Sequence, residues 1–507
     1  MKFGLIAWDY TTQIYPIRLL ATALRNDGND IKIIMAISYL DNFYQTYDLA
    51  YNDKKLPGIL TMLEDRDIIA FSFLSVHYHI ARYFAKRIKS KYPEKILICG
   101  GIHASVEPEK TLEFSDYVCL GEGELVFPEL IKAIQTNSSV QIPGVLSKDK
   151  RDDCFSYAPA LNKLDENPIP DYFFDSTYIY FPRLDTWKNR DASMFLPLDN
   201  KGRSRFSYYL FPDRDCVFNC SYCCRPLLKK LSKSNKIRFR SIEHIMEEIK
   251  VAKESLPNLQ KVMIYSDDFF NWRLEDLKAF IEQYVEFIKL PFKFIFSPLN
   301  YDDNKARLLF DSGLVSSISA GIQTGSQKMR KIYRRPENNK MIVGMANKLS
   351  RLSKAYKVLI GYDFIIDAFW EDEQDRLETL KLICTMPKPF QIIFYSLTFY
   401  PGTALYKKAI EEGILTEERF LKQFDRKYSI NNRLKVVNKE IDNFIRLCKL
   451  CAILPIPRHF AAILYILKIT IPNFGINILE RIIFIIQQKG MVFAVKYGSQ
   501  RLFKKLR

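Results

Sequence analysis

No apolar run in the 507 residues approaches the ~18 residues that a membrane-spanning helix needs, so no spanning segment is expected. The opening stretch Met1–Tyr10 has one lysine, an acid at Asp9 and no small-residue cleavage site, and does not read as a signal peptide. There is no internal repeat and no low-complexity tract, which sets aside solenoids and unstructured scaffolds. Nothing resembles an RNA-binding module, so no nucleic-acid partner is expected despite the basic charge. Histidine is scarce, and His77, His79 and His103 are the only three in residues 1–135.

What is present supports several folded domains. Hydrophobic residues make up 48% and charged residues 26%, enough to bury cores in roughly three or four domains of ~100–200 residues. The net charge of +17 fits an anionic substrate, a nucleic acid or a membrane surface without choosing among them. Ten cysteines without a secretion signal point to the reducing cytoplasm, where clustered thiols serve as metal ligands or catalysts. Four of the ten lie within nine residues.

Residues 1–135 alternate short apolar runs with amphipathic segments. Strands are expected at Lys2–Ala7, Ile31–Ala36, Ile68–Phe73, Ile96–Cys99 and Tyr117–Leu120, and helices at Pro16–Arg25, His77–Ser90 and Leu125–Ile134. Strands without polar alternation, interleaved with helices, predict a doubly wound, Rossmann-like parallel sheet. Gly100-Gly101 and Gly121-Glu122-Gly123 follow strands, where a missing Cβ lets a ligand approach closely. Residues 136–200, rich in aromatics from Tyr172 to Trp187, read as a connecting segment laid over its neighbours. From residue 201 to 405 the alternation resumes, with strands at Phe206–Phe211, Lys261–Tyr265, Phe292–Phe296, Ser317–Ile322, Lys357–Ile366 and Gln391–Phe399. The helices between them are expected at Ile242–Lys253, Leu274–Phe287, Asn304–Ser312, Lys340–Ala355 and Asp372–Cys384. Six βα steps predict a partial (βα)6 barrel with its working loops at the strand C-termini. Residues 406–507 read as a basic, helical region.

Cys216, Cys220 and Cys223 give the spacing C-x3-C-x2-C directly after a strand. Three thiolates on one loop can hold three irons of a cubane and leave the fourth open to a small chelating ligand. A four-cysteine zinc site wants two separated pairs, and no second pair lies nearby. The alternatives are a chance run of cysteines or a zinc knuckle completed by Cys224.

The chain resembles the radical S-adenosylmethionine enzymes, whose C-x3-C-x-aromatic-C signature is matched by Cys216, Cys220, Tyr222 and Cys223. The resemblance implies a 4Fe–4S cluster on the three cysteines, S-adenosylmethionine chelated to the open iron, and reductive cleavage to a 5′-deoxyadenosyl radical. It also implies an external electron donor such as flavodoxin or ferredoxin. Cys224 is outside the signature. Ser266 and Asp268 follow a strand where the family places polar residues facing S-adenosylmethionine. Gly321-Ile322-Gln323-Thr324-Gly325-Ser326 stands where relatives read G-I-E-S-G-S, with Gln323 and Thr324 departing from the acid and the serine. Asp268 and Gln323 are alternatively satisfied polar groups inside the barrel. Pro401-Gly402-Thr403 matches a family P-G-T, and Glu371 or Asp372 stands in for the acid after the family's glycine- and proline-rich loop.

Residues 1–135 resemble the cobalamin-binding domain that many of these enzymes carry. The resemblance rests on Ser72-Phe73-Leu74-Ser75, Gly100-Gly101-Ile102-His103-Ala104 and Gly121-Glu122-Gly123-Glu124. It implies cobalamin held by these segments without a cobalt-bound histidine, because the D-x-H-x-x-G loop is absent. His103 is placed to approach the corrin or to serve as an ordinary packed histidine.

The implied function is methylation through cobalamin, or a rearrangement, at an unactivated carbon of a small-molecule or lipid-like substrate. The alternatives are a radical enzyme that has lost cobalamin and a non-catalytic iron–sulfur sensor. Cys448 and Cys451 have redox-motif spacing but lie in an apolar helical run and read as structural. Phe460–Ile471 and Ile476–Ile486 are rich in Ile, Leu and Phe with basic residues interspersed. They read as a helix packed on the barrel, or as one that lies peripherally on a membrane or caps a lipid-like substrate.

Overall fold

The computed structural model describes residues 1–8, 14–37, 48–148, 156–172, 176–190, 207–256, 259–416, 419–420 and 439–471. The chain divides into two compact units, Met1–Met263 with Phe399–Lys427, and Ile264–Thr398 with Tyr428–Arg507.

The first unit is built on an eight-stranded sheet. Its order is Val145–Ser147, Tyr117–Cys119, Ile96–Gly100, Ile68–Ser72, Lys2–Trp8, Asp30–Ile37, Thr177–Phe181 and Thr186–Arg190. The inner pairs are parallel and the outermost pair on each side is antiparallel. Lys2–Trp8 is buried from Phe3 onward, so both sheet faces are covered and its run of apolar residues needs no alternation. Helices Tyr15–Asn26, Leu49–Leu63, Tyr78–Lys91 and Gly123–Gln135 connect the strands. The order reverses at Lys2–Trp8, which places the ligand crevice beyond the carboxyl ends of the strands.

Two features went beyond the sequence reading. Helix Leu49–Leu63 contains Pro57 and Gly58, which hide its periodicity; Asp48 caps it by accepting from the Ala50 N–H at 2.9 Å. The aromatic segment expected as a connector supplies the edge hairpin Thr177–Phe181 and Thr186–Arg190. Its aromatics cover that helix. A Cβ on Gly58 would stand 2.2 Å from the Trp187 ring. The fully buried Lys55 donates to the Ala36 carbonyl at 2.8 Å, with the Tyr51 and Tyr180 rings 4.9 and 5.5 Å away. The unit continues through Ser207–Leu210, helix Ile242–Ser255 and Lys261–Ile264.

In the second unit four parallel strands, Phe292–Phe296, Val315–Gln323, Leu359–Ile366 and Gln391–Ser396, pair in chain order. Helices Leu274–Gln283, Asp303–Asp311, Asn339–Tyr356 and Glu373–Thr385 alternate with them, and Asp302, Asn338 and Asp372 cap three. With helix Ala404–Glu411 after the last strand, the six strand–helix steps expected for the partial barrel are present along the chain. Helix Lys439–Ile453 buries Phe444, Leu447, Cys448 and Cys451, and its Ala452 carbonyl accepts from the Phe390 N–H at 3.2 Å. Helix Arg458–Ile466 follows. The apolar stretch Ile476–Ile486 lies outside the described residues.

Gly101 tests this packing. It has φ +95°, and a Cβ there would lie 2.8 Å from the backbone N and O of Phe73. Gly28 also has positive φ, at +79°, but a Cβ there would meet nothing within 4 Å. Gly28→Ala should cost about 1 kcal/mol and Gly101→Ala about 3 kcal/mol, read from urea unfolding midpoints. Equal losses at the two positions would contradict the crossing of Gly101 over Phe73.

Candidate cofactor sites

Three loops meet beyond the carboxyl ends of adjacent parallel strands in the first unit. The backbone of Phe73 donates to the Gly100 carbonyl at 3.2 Å and its carbonyl accepts from the His103 N–H at 3.3 Å. Ser105 joins the second and third loops, donating to the Gly101 carbonyl at 3.0 Å and accepting from the Gly121 N–H at 2.9 Å. Gly121 has φ +86° and faces open space, since a Cβ there would meet nothing within 4 Å. A large flat ring needs such a bare, glycine-lined ledge, so these residues fit a corrin.

The predicted residues within these loops divide by position. Ser72 and Gly100 stand half-buried at strand ends. Ser75 is buried, with its hydroxyl 3.0 Å from His103 Nδ1. The His103 ring is enclosed by Tyr78 and Phe73, at centroid distances of 4.5 and 5.6 Å. Burial, with Lys110 and His79 adding to it, pushes the His103 pKa down to about 3, so the ring is neutral near pH 7. Gly123 opens helix Gly123–Gln135 against Leu20.

Glu122 occupies a different place. Its Oε1 lies 2.7 Å from Arg238 Nη2 and 3.1 Å from Arg214 Nη1. Its Oε2 accepts from Arg238 Nη1 at 2.9 Å and the Leu161 N–H at 2.7 Å. Arg238 Nε continues to Asp215 at 2.8 Å, and Ser234 donates to the same carboxylate oxygen at 2.8 Å. Asp215 has φ +77°, a strained conformation for a non-glycine residue, and these bonds hold it there. Arg214 also pairs with Glu124. The third glycine loop is thereby clamped to the two residues that precede Cys216.

Cys216, Cys220 and Cys223 lie between the short strand Asp213–Arg214 and helix Arg225–Leu231. Cys220 is buried and the other two are half-buried. Cys223 donates its N–H to the Cys220 carbonyl at 3.2 Å, and its sulfur accepts from the Arg225 N–H at 3.5 Å. Cys224 is in hydrogen-bond contact with Cys223, and Tyr400 lies close enough to feel the charge of both. Among the described residues, no three His, Cys, Asp or Glu side chains converge on one metal ion. A cubane needs no such convergence, because each thiolate binds a different iron, and the all-sulfur donor set suits it. Pro401-Gly402-Thr403 packs beside the loop: the Leu405 N–H donates to the Ser221 carbonyl at 2.8 Å, and a Cβ on Gly402 would stand 2.4 Å from Leu227. Tyr222 is half-buried within the loop.

In the second unit the predicted polar residues also separate. Ser266 and Asp268 are buried. The Asp268 carboxylate accepts from the N–H groups of Phe270 and Ser297, both at 3.1 Å, and from Asn300 at 3.0 Å. Burial pushes its pKa up to about 7, against the lowering effect of those bonds and Arg335. Its bonds brace the turn after Lys261–Ile264. Thr324 is buried and accepts from the Ser326 N–H at 3.0 Å, with Thr379 Oγ1 at 3.4 Å. Gln323 stands apart: its φ is +68°, the strand register shifts between Gly321 and Gln323, and no hydrogen bond holds its amide among the described residues. Bulges and left-handed non-glycine residues at a strand end mark places where a side chain is re-aimed. Of the two candidate acids, Asp372 caps helix Glu373–Thr385 and pairs with Lys328 at 2.7 Å. Glu371 is buried, and burial pushes its pKa up to about 7.

The sequence reading missed Lys293, Ser319 and Asp363. Ser319 donates to Asp363 at 3.0 Å, and burial raises the Asp363 pKa to about 6 against Ser319 and Lys293. Their signal was a lysine and an acid inside otherwise apolar strands. Cys451 hydrogen-bonds Cys384 and Cys448 is fully buried, so the Cys448–Cys451 pair belongs to helix packing.

Comparison with known proteins places two family models on the chain: the radical SAM superfamily over residues 212–383 and the B12 binding domain over residues 8–131. An uncharacterized methyltransferase of Pyrococcus horikoshii is 23% identical over 409 residues, 78% of each chain. The bacteriochlorophyllide d C-8(2)-methyltransferase of Chlorobaculum tepidum is 24% identical over 353 residues, 67% of each chain. Among solved structures, the radical S-adenosylmethionine methyltransferase TsrM of Kitasatospora setae, with cobalamin and a [4Fe–4S] cluster bound, matches with a TM-score of 0.59. It is 13% identical and covers 98% of this chain and 99% of its own. The cobalamin-dependent S-adenosylmethionine radical enzyme OxsB, with aqua-cobalamin bound, gives a TM-score of 0.62 at 15% identity, covering 95% of this chain and 72% of its own. At these identities the solved structures establish the shared fold.

Two predictions follow from the geometry. Anaerobically isolated protein should carry about four irons, lost in Cys216→Ala, Cys220→Ala or Cys223→Ala and kept in Cys224→Ala. Iron loss in Cys224→Ala equal to the others would reject the assigned ligands.

The second concerns Glu122. Burial alone would raise its pKa, but the Arg238 hydrogen bond, the Arg214 and Arg238 charges and the Leu161 N–H hold it below the usual range. Its folded pKa thus lies below its unfolded one, so its stabilisation is complete above about pH 4.3 and is lost as pH falls through the folded value. Glu122→Gln should cost about 3 kcal/mol near pH 7, and less in acid, as followed by urea unfolding across pH.

Proposed function

The chain belongs to the cobalamin-dependent radical S-adenosylmethionine enzymes, and we propose that it methylates an unactivated carbon of a small organic substrate. The observation that carries this reading is the Glu122 clamp, which ties the glycine-lined corrin ledge to the backbone directly before the three-thiolate loop. Methyl transfer through cobalamin needs both cofactors held in register, whereas a cluster sensor would need no such ledge. The curated relatives named as methyltransferases favour the same outcome.

When bound, the cluster supplies the electron that cleaves S-adenosylmethionine and the cobalamin supplies a methyl carrier. The protein's own groups bind and orient. Cys216, Cys220 and Cys223 hold the cluster, and the Arg225 N–H steadies the Cys223 sulfur. Gly121, where a Cβ would meet nothing within 4 Å, lets the corrin lie close to the backbone. The Gln323 amide offers a donor and an acceptor to S-adenosylmethionine. Asp268 keeps the neighbouring turn rigid through its three accepted hydrogen bonds. Lys293, Ser319 and Asp363 give the strands of the second unit a polar tier that can orient a substrate functional group.

Protein reconstituted with iron, sulfide and cobalamin should convert S-adenosylmethionine to both 5′-deoxyadenosine and S-adenosylhomocysteine in the presence of substrate-containing cell extract and a reductant. Cys220→Ala should abolish the deoxyadenosine. Extracts treated with the active enzyme should gain a compound heavier by one methylene. Deoxyadenosine without S-adenosylhomocysteine or any methylated compound would reject methyl transfer while retaining radical chemistry.

A further inference from the structure

The parallel strands of the second unit have unlike faces. Side chains alternate along a strand, and on one face Phe292, Phe294, Phe296, Tyr362, Phe364 and Phe394 are all buried. The other face carries Lys293, Ser317, Ser319, Asp363, Gln391 and Tyr395, and of these only Ser319 is fully buried. A sheet face packed into a core would be apolar. This one holds a lysine, an acid and hydroxyls, with Gly321 and Gly361 leaving space among them. A Cβ on Gly361 would stand 3.2 Å from the Ser319 hydroxyl.

Several of these groups lack partners. Among the described residues, Lys293 Nζ, the Tyr395 hydroxyl and the second carboxylate oxygen of Asp363 make no hydrogen bond; Ser319 reaches only the first oxygen, at 3.0 Å. Lys293 and Asp363 lie near enough for each charge to act on the other, yet they form no ion pair. Burial lowers the Lys293 pKa and raises that of Asp363 to about 6, so both charges are held at a cost. The Asp363 charge also reaches Tyr395. Half-buried charges of opposite sign that stop short of each other leave a gap suited to a ligand with the complementary pair. A hydrocarbon chain would strand both charges, and a phosphate would face the Asp363 carboxylate.

We propose that Lys293 and Asp363 bind an amphoteric end of the substrate, its carboxylate on the Lys293 ammonium and its own ammonium on Asp363. The proposal rests on the reading that the chain modifies a small organic substrate. It assigns that end to the amino-carboxylate class and sets aside a lipid tail or a phosphate for this part of the strands.

Reconstituted enzyme should consume from cell extract a compound that a cation exchanger retains at about pH 2 and an anion exchanger at about pH 10. The readout is the compound's disappearance, whatever replaces it, so a failure of methyl transfer alone would leave this test standing. Lys293→Met and Asp363→Asn should each slow that consumption about tenfold or more, as one lost charge-assisted hydrogen bond requires, with iron content kept. Lys293→Arg should recover part of the loss. Without substrate, Lys293→Met should unfold at the same or a higher urea concentration than the parent, because an unpaired ammonium leaves a half-buried site. A lysine that served only the fold would shift the midpoint the other way. A lowered midpoint, undiminished consumption by both variants, or consumption of no amphoteric compound would overturn the proposal.

Discussion

The ion network around Glu122 is the constraint on which the first unit depends. One carboxylate receives Arg214, Arg238 and a backbone N–H, and Arg238 reaches on to Asp215. Arg238 is almost wholly out of water, so its charge needs these partners; removing one would leave a buried charge uncompensated. These partners fix how the third glycine loop meets the backbone before Cys216. The arrangement so defined is the approach of a glycine-lined sheet edge to the loop of three thiolates. Asp215, left-handed and adjacent to Cys216, holds its strained backbone within that network.

In the second unit the predicted polar residues are held mainly by backbone N–H groups and neutral side chains. Asp268 is enclosed and satisfied by two backbone N–H groups and Asn300, and its raised pKa reflects the cost of burying a carboxylate. Thr324 is committed to the start of the following helix and, through Thr379, to helix Glu373–Thr385. Gln323 stands outside these bonds, half-buried at a bulge with a positive φ. The rigid surroundings allow one strained residue to hold its direction.

The C-terminal helices show the same division between packing and presentation. Lys439–Ile453 buries its apolar side and fixes Cys448 and Cys451 within it. Arg458–Ile466 is held through Tyr465, by Arg376 and the Phe444 ring, and leaves Phe460, Ile463 and Ile466 exposed. Both have helical apolar spacing, and only their surroundings distinguish them.

The sequence alone determined the alternation of strands and helices, because strands buried on both faces appear as unbroken apolar runs such as Leu5–Ala7 and Ile33–Ile37. It also determined the three-cysteine loop and the glycine loops, since thiolate spacing along one segment and positive φ at Gly101 and Gly121 are local properties. Tertiary structure decided the rest. Helix Leu49–Leu63 survives its internal Pro57 because Trp187, from an edge strand distant in the chain, packs over Gly58. Glu122 became a clamp because two arginines, 92 and 116 residues later in the numbering, fold back onto it. Asp268 became a brace because its partners Ser297 and Asn300 arrive from the next strand end. The physical reason is common to all three: a side chain's charge, burial and free valence are set by residues far away in the chain, and one-dimensional spacing carries no record of them.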